Sequence, residues 1–328
     1  MKSFSRSLGY ACLIIVIAIT GFALLTNRVG WLLYLEVFSH FQVQYFIVTL
    51  VLAGITLFLR HTRHLLIILF CTAILSAQVV PWYLPFHVRN QSGNYRVLVA
   101  NLNFSNYDAT RTLSLMATEQ PDLALFLEVG RTMETQLDRL KAEFPYSTHI
   151  ASEEGIVLYS KSPLSNVQLQ QFGLYARESL TVNLDIDGQK LSLVAVHPLP
   201  PIEHTMFQSR NTLLAEVGDY IKTQTDPVLL LGDLNITMWS PYYHALIEQT
   251  HLKNTRKGFG IQATWPRLSS YYGLPTWLQG LFNPLQIPID HCLVSPEIKV
   301  TDIHTGTDTG SDHAPIVVDL IIPSVRTA

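Results

Sequence analysis

Charge and cysteine are both scarce. Only 14% of the 328 residues are Asp, Glu, Lys or Arg, while 48% are hydrophobic. That balance excludes a disordered chain and is too apolar for an ordinary soluble globule of this length. Three cysteines, Cys12, Cys71 and Cys292, stand far apart. They exclude a disulfide framework and a C-x-x-C metal or redox site, and they identify no compartment. A formal charge of -3 excludes a uniformly basic nucleic-acid binder. No repeat or low-complexity tract is present, which excludes a solenoid.

The few charges are unevenly placed. Residues 1–89 carry six Lys/Arg and one acid, Glu36; residues 90–328 carry the other 16 Lys/Arg and 24 acids. The head contains three uncharged apolar runs, Ser7 to Asn27, Val37 to Leu59 and Leu65 to Phe86. Each is near the roughly 20 residues a helix needs to cross about 30 Å of hydrocarbon. A cleaved signal peptide would account for the first run only. The head therefore reads as a membrane anchor of three transmembrane helices, at about 7–27, 37–59 and 65–86. Lys2, Arg6, Arg60 and Arg63 share one side, and Arg28, Arg89 and Arg96 the other. The positive-inside rule then puts the N-terminus in the cytoplasm and the body outside it, on the periplasmic or exterior face of a bacterial inner membrane. Trp82 and Tyr83 suit an aromatic belt, and His40, Gln42 and Gln44 read as interfacial. With no charged residue at mid-depth, a transporter is excluded.

His87 to Tyr95 is polar and reads as the linker to a second domain, residues 90–328. Strand-like and helix-like stretches alternate there, with a hairpin signal at Asp187-Gly188. This pattern predicts an α/β fold, a layered sandwich rather than a doubly wound parallel sheet. Polar residues follow or interrupt the apolar strands: Asn101, Glu128, His197, Asp233, Asn235, Asp290, Asp312 and His313. Taken singly, each is an ordinary turn former or cap. Together they suggest a ligand site where strand ends converge.

Five segments carry a resemblance. RVLVANLN, PDLALFLEV, LLLGDLN, PIDHCLVS and GSDHAPI, in that order, are similar to the ordered motifs of the endonuclease/exonuclease/phosphatase superfamily. That superfamily includes deoxyribonucleases, abasic-site endonucleases, neutral sphingomyelinases and inositol-polyphosphate phosphatases. The resemblance runs from about Arg96 to Ile321. It implies two mixed β-sheets flanked by helices, as in pancreatic deoxyribonuclease, and a Mg²⁺- or Mn²⁺-dependent phosphoesterase. By this resemblance Glu128 and Asn101 hold the metal and Asp312 completes or supports its sphere. Asp233 activates water, Asn235 holds the water or a phosphate oxygen, and His313, fixed by Asp290, stabilises the phosphoryl group. His197 stands where secreted deoxyribonucleases and sphingomyelinases carry a His, as a general acid or phosphate ligand. Such chemistry suits a hard cation on oxygen ligands beside an imidazole oriented by a carboxylate.

The substrate expected first is nucleic acid, although the acidic body disfavours a duplex. A lipid headgroup is the alternative. A tethered but inactive binding module is a further one, disfavoured because the whole residue set is present. No protein partner is indicated. Arg210 reads as a solvated or structural residue of a helix, Trp265 as core, and His291 as facing away from the site. Asn103 lines the site in this reading. Arg256, Lys257 and Arg267, with the apolar stretch 271–284, form the expected substrate-facing loop.

Overall fold

A computed structural model describes residues 2–85, 92–148, 155–267 and 283–323 of the chain. The head begins with α1 (Lys2–Thr26). The second apolar run is not one helix. It divides into α2 (Leu33–Phe38), a 3-10 turn (Ser39–Phe41) and α3 (Gln42–Phe58). The third run forms α4 (Thr62–Val79), which gives way to a 3-10 turn at Pro81, where a proline cannot continue the α-helical ladder. Three segments, Ser3–Thr26, Leu33–Phe58 and Thr62–Trp82, are long and apolar enough to cross a membrane. Cys12, Val16, Ala53, Ile68 and Cys71 pack between them. Ile14, Val51, Leu57, Phe58, Leu66 and Phe70 face outward. The buried threonine hydroxyls of Thr20, Thr56 and Thr72 each bond the carbonyl four residues back.

The body starts with β1 (Tyr95–Asn101), α5 (Thr110–Glu119), β2 (Leu123–Leu127) and α6 (Arg131–Leu137). Then come β3 (Tyr146–Thr148), β4 (Val157–Ser160), β5 (Leu164–Phe172), β6 (Arg177–Ile186) and β7 (Gln189–Val196). After α7 (His204–Lys222) follow β8 (Val228–Asp233), α8 (Pro241–Thr250) and β9 (Lys253–Asn254). The chain closes with β10 (Asp290–Val294), β11 (Lys299–Thr305) and β12 (Ile316–Ile321). The sequence places a short strand at His149–Ile150 and substrate contacts at 271–282, and both lie outside the described residues.

The strands form two six-stranded mixed sheets, ordered β11-β12-β1-β2-β4-β3 and β5-β6-β7-β8-β10-β9. Residue alternation explains the layers. Val97 and Val99 of β1 enter the core between the sheets, with Leu193 and Leu231 of the facing sheet. Leu98 and Ala100 point the other way, onto α5 and α6. On the far side Val194, Val196 and Leu230 pack on α7 and α8. The result is the expected helix–sheet–sheet–helix sandwich. Each sheet has one central parallel pair, β1 with β2 and β7 with β8. Because β8 runs antiparallel to β10 with Asp233 opposite Asp290, the C-terminal ends of the parallel pairs and the start of β10 meet at one end of the molecule.

Head and body are not merely strung together. Val79 belongs to the same apolar cluster as Leu213, Leu230 and Tyr243 of the body. Trp82 offers its carbonyl to the backbone N–H groups of Gly258 and Gly260, and Trp239 Nε1 donates to the Gln78 carbonyl. Glu36, the lone acid of the head, is fully buried. It meets the equally buried Arg210 of α7 at 3.0 Å and accepts from Ser240 Oγ. His40 contacts Thr237, and Gln44 Nε2 donates to the carbonyls of Pro284 and Gln286. Of the polar residues expected at the lipid–water boundary, His40 and Gln44 contact the body, while Gln42 donates to Asn27 Oδ1 and to the carbonyls of Ala23 and Ser39 within the head. They also explain the break in the second run, because Ser39 and His40 turn toward protein.

Candidate active site

Local backbone geometry places the site residues. Asn101 ends β1, and Glu128 follows β2 in the left-handed region, at φ 54°. A non-glycine residue there is strained and persists only where its surroundings impose it. Asn103 and Asn235 share that conformation, at φ 61° and φ 50°. Gly232 (φ 142°) precedes Asp233, and a Cβ on it would lie 1.9 Å from the Val196 carbonyl oxygen. Only glycine lets β7 and β8 close so tightly, bringing Asp233 beside His197.

The side chains converge. Asn101 Nδ2 donates to Glu128 Oε1 at 2.8 Å and to Asp233 Oδ2 at 3.4 Å. His197 Nε2 lies 3.5 Å from Glu128 Oε1 and 3.8 Å from Asp233 Oδ2. His313 Nδ1 is 2.9 Å from Asp290 Oδ2, and its Nε2 is 3.7 Å from Asp233 Oδ2. The Asn235 N–H donates to Asp233 Oδ1, and Asn235 Nδ2 to the Pro198 carbonyl. Asp312 stands one step out, its two carboxylate oxygens accepting from Asn103 Nδ2 at 2.7 Å and Trp265 Nε1 at 3.1 Å.

Burial sets the charges. It pushes the Asp233 carboxyl up to about 8, with the neighbouring Asp290 charge acting in the same direction. It pushes His197 down to about 4, against the pull of Glu128. Burial also opposes a charge on His313, but Asp290 in contact, with Asp233 and Asp312 nearby, outweighs it and raises the imidazole to about 10. Burial likewise disfavours the Asp290 anion, and the His313 cation reverses this and holds it below the usual carboxylate range. His313 and Asp290 thus form an internal ion pair beside Asp233.

The donor set fits a hard divalent cation. Glu128 Oε1 and Asp233 Oδ2 face one another closely enough to share the Asn101 amide and His197, and like-charged oxygens converge in this way around a cation. Asp233, Asp290 and His313 also bring ligand atoms within 4.8 Å of one another. In that trio His313 Nδ1 is engaged by Asp290, so the carboxylate oxygens of Glu128 and Asp233 are the better seat; Asn101 turns its Nδ2 to them, and its Oδ1 accepts from the Asn103 N–H.

All eight residues singled out in the sequence lie at this end of the sandwich. Two others differ from expectation. Trp265, read as core, lines the cleft and anchors Asp312. Arg256, read as substrate-facing, is fully buried and donates to the Asp290 carbonyl. His291 points away from the site and bonds the Ile236 carbonyl, as its place in the strand predicts.

Comparisons agree with this geometry. No curated protein matches in sequence. The fold is similar to that of an endonuclease/exonuclease/phosphatase from Beutenbergia cavernae, with a TM-score of 0.57, 20% identity, and coverage of 73% of this chain and 74% of that one. A family protein from Leptotrichia buccalis is similar at a TM-score of 0.55 and 15% identity, over 70% of this chain and 100% of that chain. A double mutant of the Staphylococcus aureus beta toxin with bound magnesium ions is similar at a TM-score of 0.50 and 14% identity, over 69% and 99%. The sequence profile of the Endonuclease/Exonuclease/phosphatase family matches residues 98–313, from β1 to His313 itself. The chain therefore belongs to the Endonuclease/Exonuclease/phosphatase family, whose members are metal-dependent phosphoester hydrolases.

Proposed function

We propose that the protein is a membrane-anchored phosphodiesterase. Residues 1–89 are the three-span anchor in a bacterial inner membrane, and residues 90–328 are the catalytic domain on its periplasmic or exterior face. The observation that carries the catalytic reading is the ring of buried Asp233, Asp290, His313, His197 and Asn101, with half-buried Glu128, at one end of both sheets. Glu128 would hold Mg²⁺ or Mn²⁺, joined by Asn101 Oδ1 if its amide turns from the Asn103 N–H, with Asp312 steadying the loop beside them. The cation supplies neutralisation of the phosphate and of the departing oxygen. Asp233, made more basic by burial, orients water and takes its proton. Asp290 fixes His313 in the form that offers Nε2–H to a phosphate oxygen. Asn235, held by the Pro198 carbonyl, binds water or a second phosphate oxygen, and His197 contacts the same phosphate from the opposite side.

The test is hydrolysis of bis(para-nitrophenyl) phosphate by the detergent-solubilised full chain. Turnover with Mg²⁺ or Mn²⁺, abolished by chelator and by Asp233→Asn, is expected. Turnover indifferent to either would overturn the reading. Nicking of supercoiled plasmid in the same preparations tests the nuclease-like activity expected first from sequence.

A further inference from the structure

The cleft that holds the catalytic ring is walled partly by the head. It has a volume of about 560 Å³, and Val37, His40 and Phe41 line it together with Glu128, His197, Asp233 and His313. These three head residues precede the segment that the family profile matches, so this wall comes from outside the family-matched part of the chain. The remaining walls are largely apolar: Pro200, Pro201, Ile202, Ile287 and Ile289. Gln44, near the start of α3 and just after the turn that supplies His40 and Phe41, donates to the carbonyls of Pro284 and Gln286, next to Ile287. Ile202 is 77% exposed at the lip. Tyr34 and Phe38 of α2, within the second candidate span, are exposed as well. No Lys or Arg is among the described residues that line the cleft.

These features do not suit a duplex, whose polyanionic backbone is held chiefly by clustered cations. They suit a phosphoester with one apolar arm. Resting on the phosphodiesterase reading above, we propose that the substrate is a phospholipid of the bilayer that holds the anchor. Its phosphodiester reaches the catalytic ring while its hydrocarbon lies along Val37, Phe41 and Ile202. The wall belongs to the same chain segment as a candidate membrane span, so the apolar surface of the cleft continues into the hydrocarbon. A lipid can enter without its chains being exposed to water. In the reaction a water oxygen bonds to phosphorus and one ester P–O bond breaks. The water proton goes to Asp233, and the departing alkoxide takes a proton from solvent. The products are an alcohol and a phosphomonoester.

The experiment compares methyl and octyl para-nitrophenyl phosphate as substrates of the full chain in detergent with Mg²⁺, for wild type, Val37→Asp and Ile202→Asp. The wild type is expected to prefer the octyl ester by about tenfold or more in kcat/KM, because the alkyl arm leaves water against the wall. Both variants are expected to lose most of that preference. Partition of the octyl ester into micelles is the same for all three proteins, so a preference that survives both substitutions overturns the proposal. So does equal use of the two esters by wild type, or plasmid nicking more efficient than octyl-ester hydrolysis; in each of these cases the phosphodiesterase reading stands. Hydrolysis of neither ester overturns the proposal, and failure on bis(para-nitrophenyl) phosphate and plasmid as well overturns both. Ile202 is an exposed loop residue, so its variant folds even if Val37→Asp does not.

Discussion

Removing the carboxylate of Glu36 tests how firmly the head is built into the body. Arg210 and Glu36 are both fully buried, with Nη2 and Oε2 3.0 Å apart. Burial alone disfavours the guanidinium charge, and Glu36 is the chief group opposing that effect. At an effective dielectric of about 20 the pair attracts by about 5 kcal/mol at this distance. Glu36→Ala leaves a buried cation unmatched and takes an acceptor from Ser240, so a loss of about 3–5 kcal/mol is expected. For a body of this size that lowers Tm by about 10 °C. Arg210 Nη1 also donates to the Asn235 carbonyl, so the loss reaches the loop that holds Asn235 at positive φ, and kcat falls with stability. The assay is a tryptophan-fluorescence melt of the full chain in detergent, read beside phosphodiester hydrolysis. The double variant Glu36→Leu/Arg210→Met is expected to recover much of the loss, because neither charge is then buried alone. A Glu36→Ala melt within about 1 kcal/mol of wild type, or a double variant worse than Arg210→Met alone, would refute the reasoning.

Other expectations concern the body. Asp290→Asn removes the partner that raises His313, so burial pulls the imidazole down; the alkaline limb of the pH–rate profile moves toward neutral and kcat falls about 100-fold, measured at saturating Mg²⁺. Trp265→Phe frees Asp312 Oδ2 and should cost about 1 kcal/mol of stability, with activity reduced but retained. Burial holds His291 down to about 3, below its ordinary 6.5. The folded chain thus binds fewer protons than the unfolded one below 6.5, and stability falls as pH drops. That loss should reach about 2–3 kcal/mol by pH ~4.5 and be absent from the slope of a His291→Gln variant. A reporter active only in the cytoplasm, fused to the C-terminus, should be silent; activity would reverse the assigned sidedness.

The catalytic end was legible in sequence for a physical reason. Polar residues ending apolar strands must leave the core where the strands stop, so Asn101, Glu128, Asp233 and His197 declared both their elements and their common end. The Asp187-Gly188 turn likewise appears where expected, both residues at positive φ. The docking of head on body was less visible. Glu36 could have been questioned as a lone acid at the edge of an apolar run, but nothing local to it names Arg210 as its partner. Arg210 sits among apolar residues at helical spacing, which does not tell whether its charge is solvated or matched inside. Trp265 and Arg256 were reversed for a related reason. In an irregular segment rich in Gly and Pro there is no period to say which side chains face the cleft, so composition put the arginine outside and the tryptophan within.

The place of β1 has a consequence for how the protein is made. It lies near the middle of its sheet, yet one of its two neighbours is β12, the last strand of the chain, with Val97 opposite Val318. His313 and Asp312 arrive only on the approach to that strand. A chain growing from its N-terminus can form its apolar helices and assemble much of the second sheet early, but the first sheet keeps an open edge at β1 until synthesis is nearly complete. The hydrolase is therefore silent throughout its own biosynthesis, and its phosphoester chemistry begins only after the three apolar helices of the head have been made.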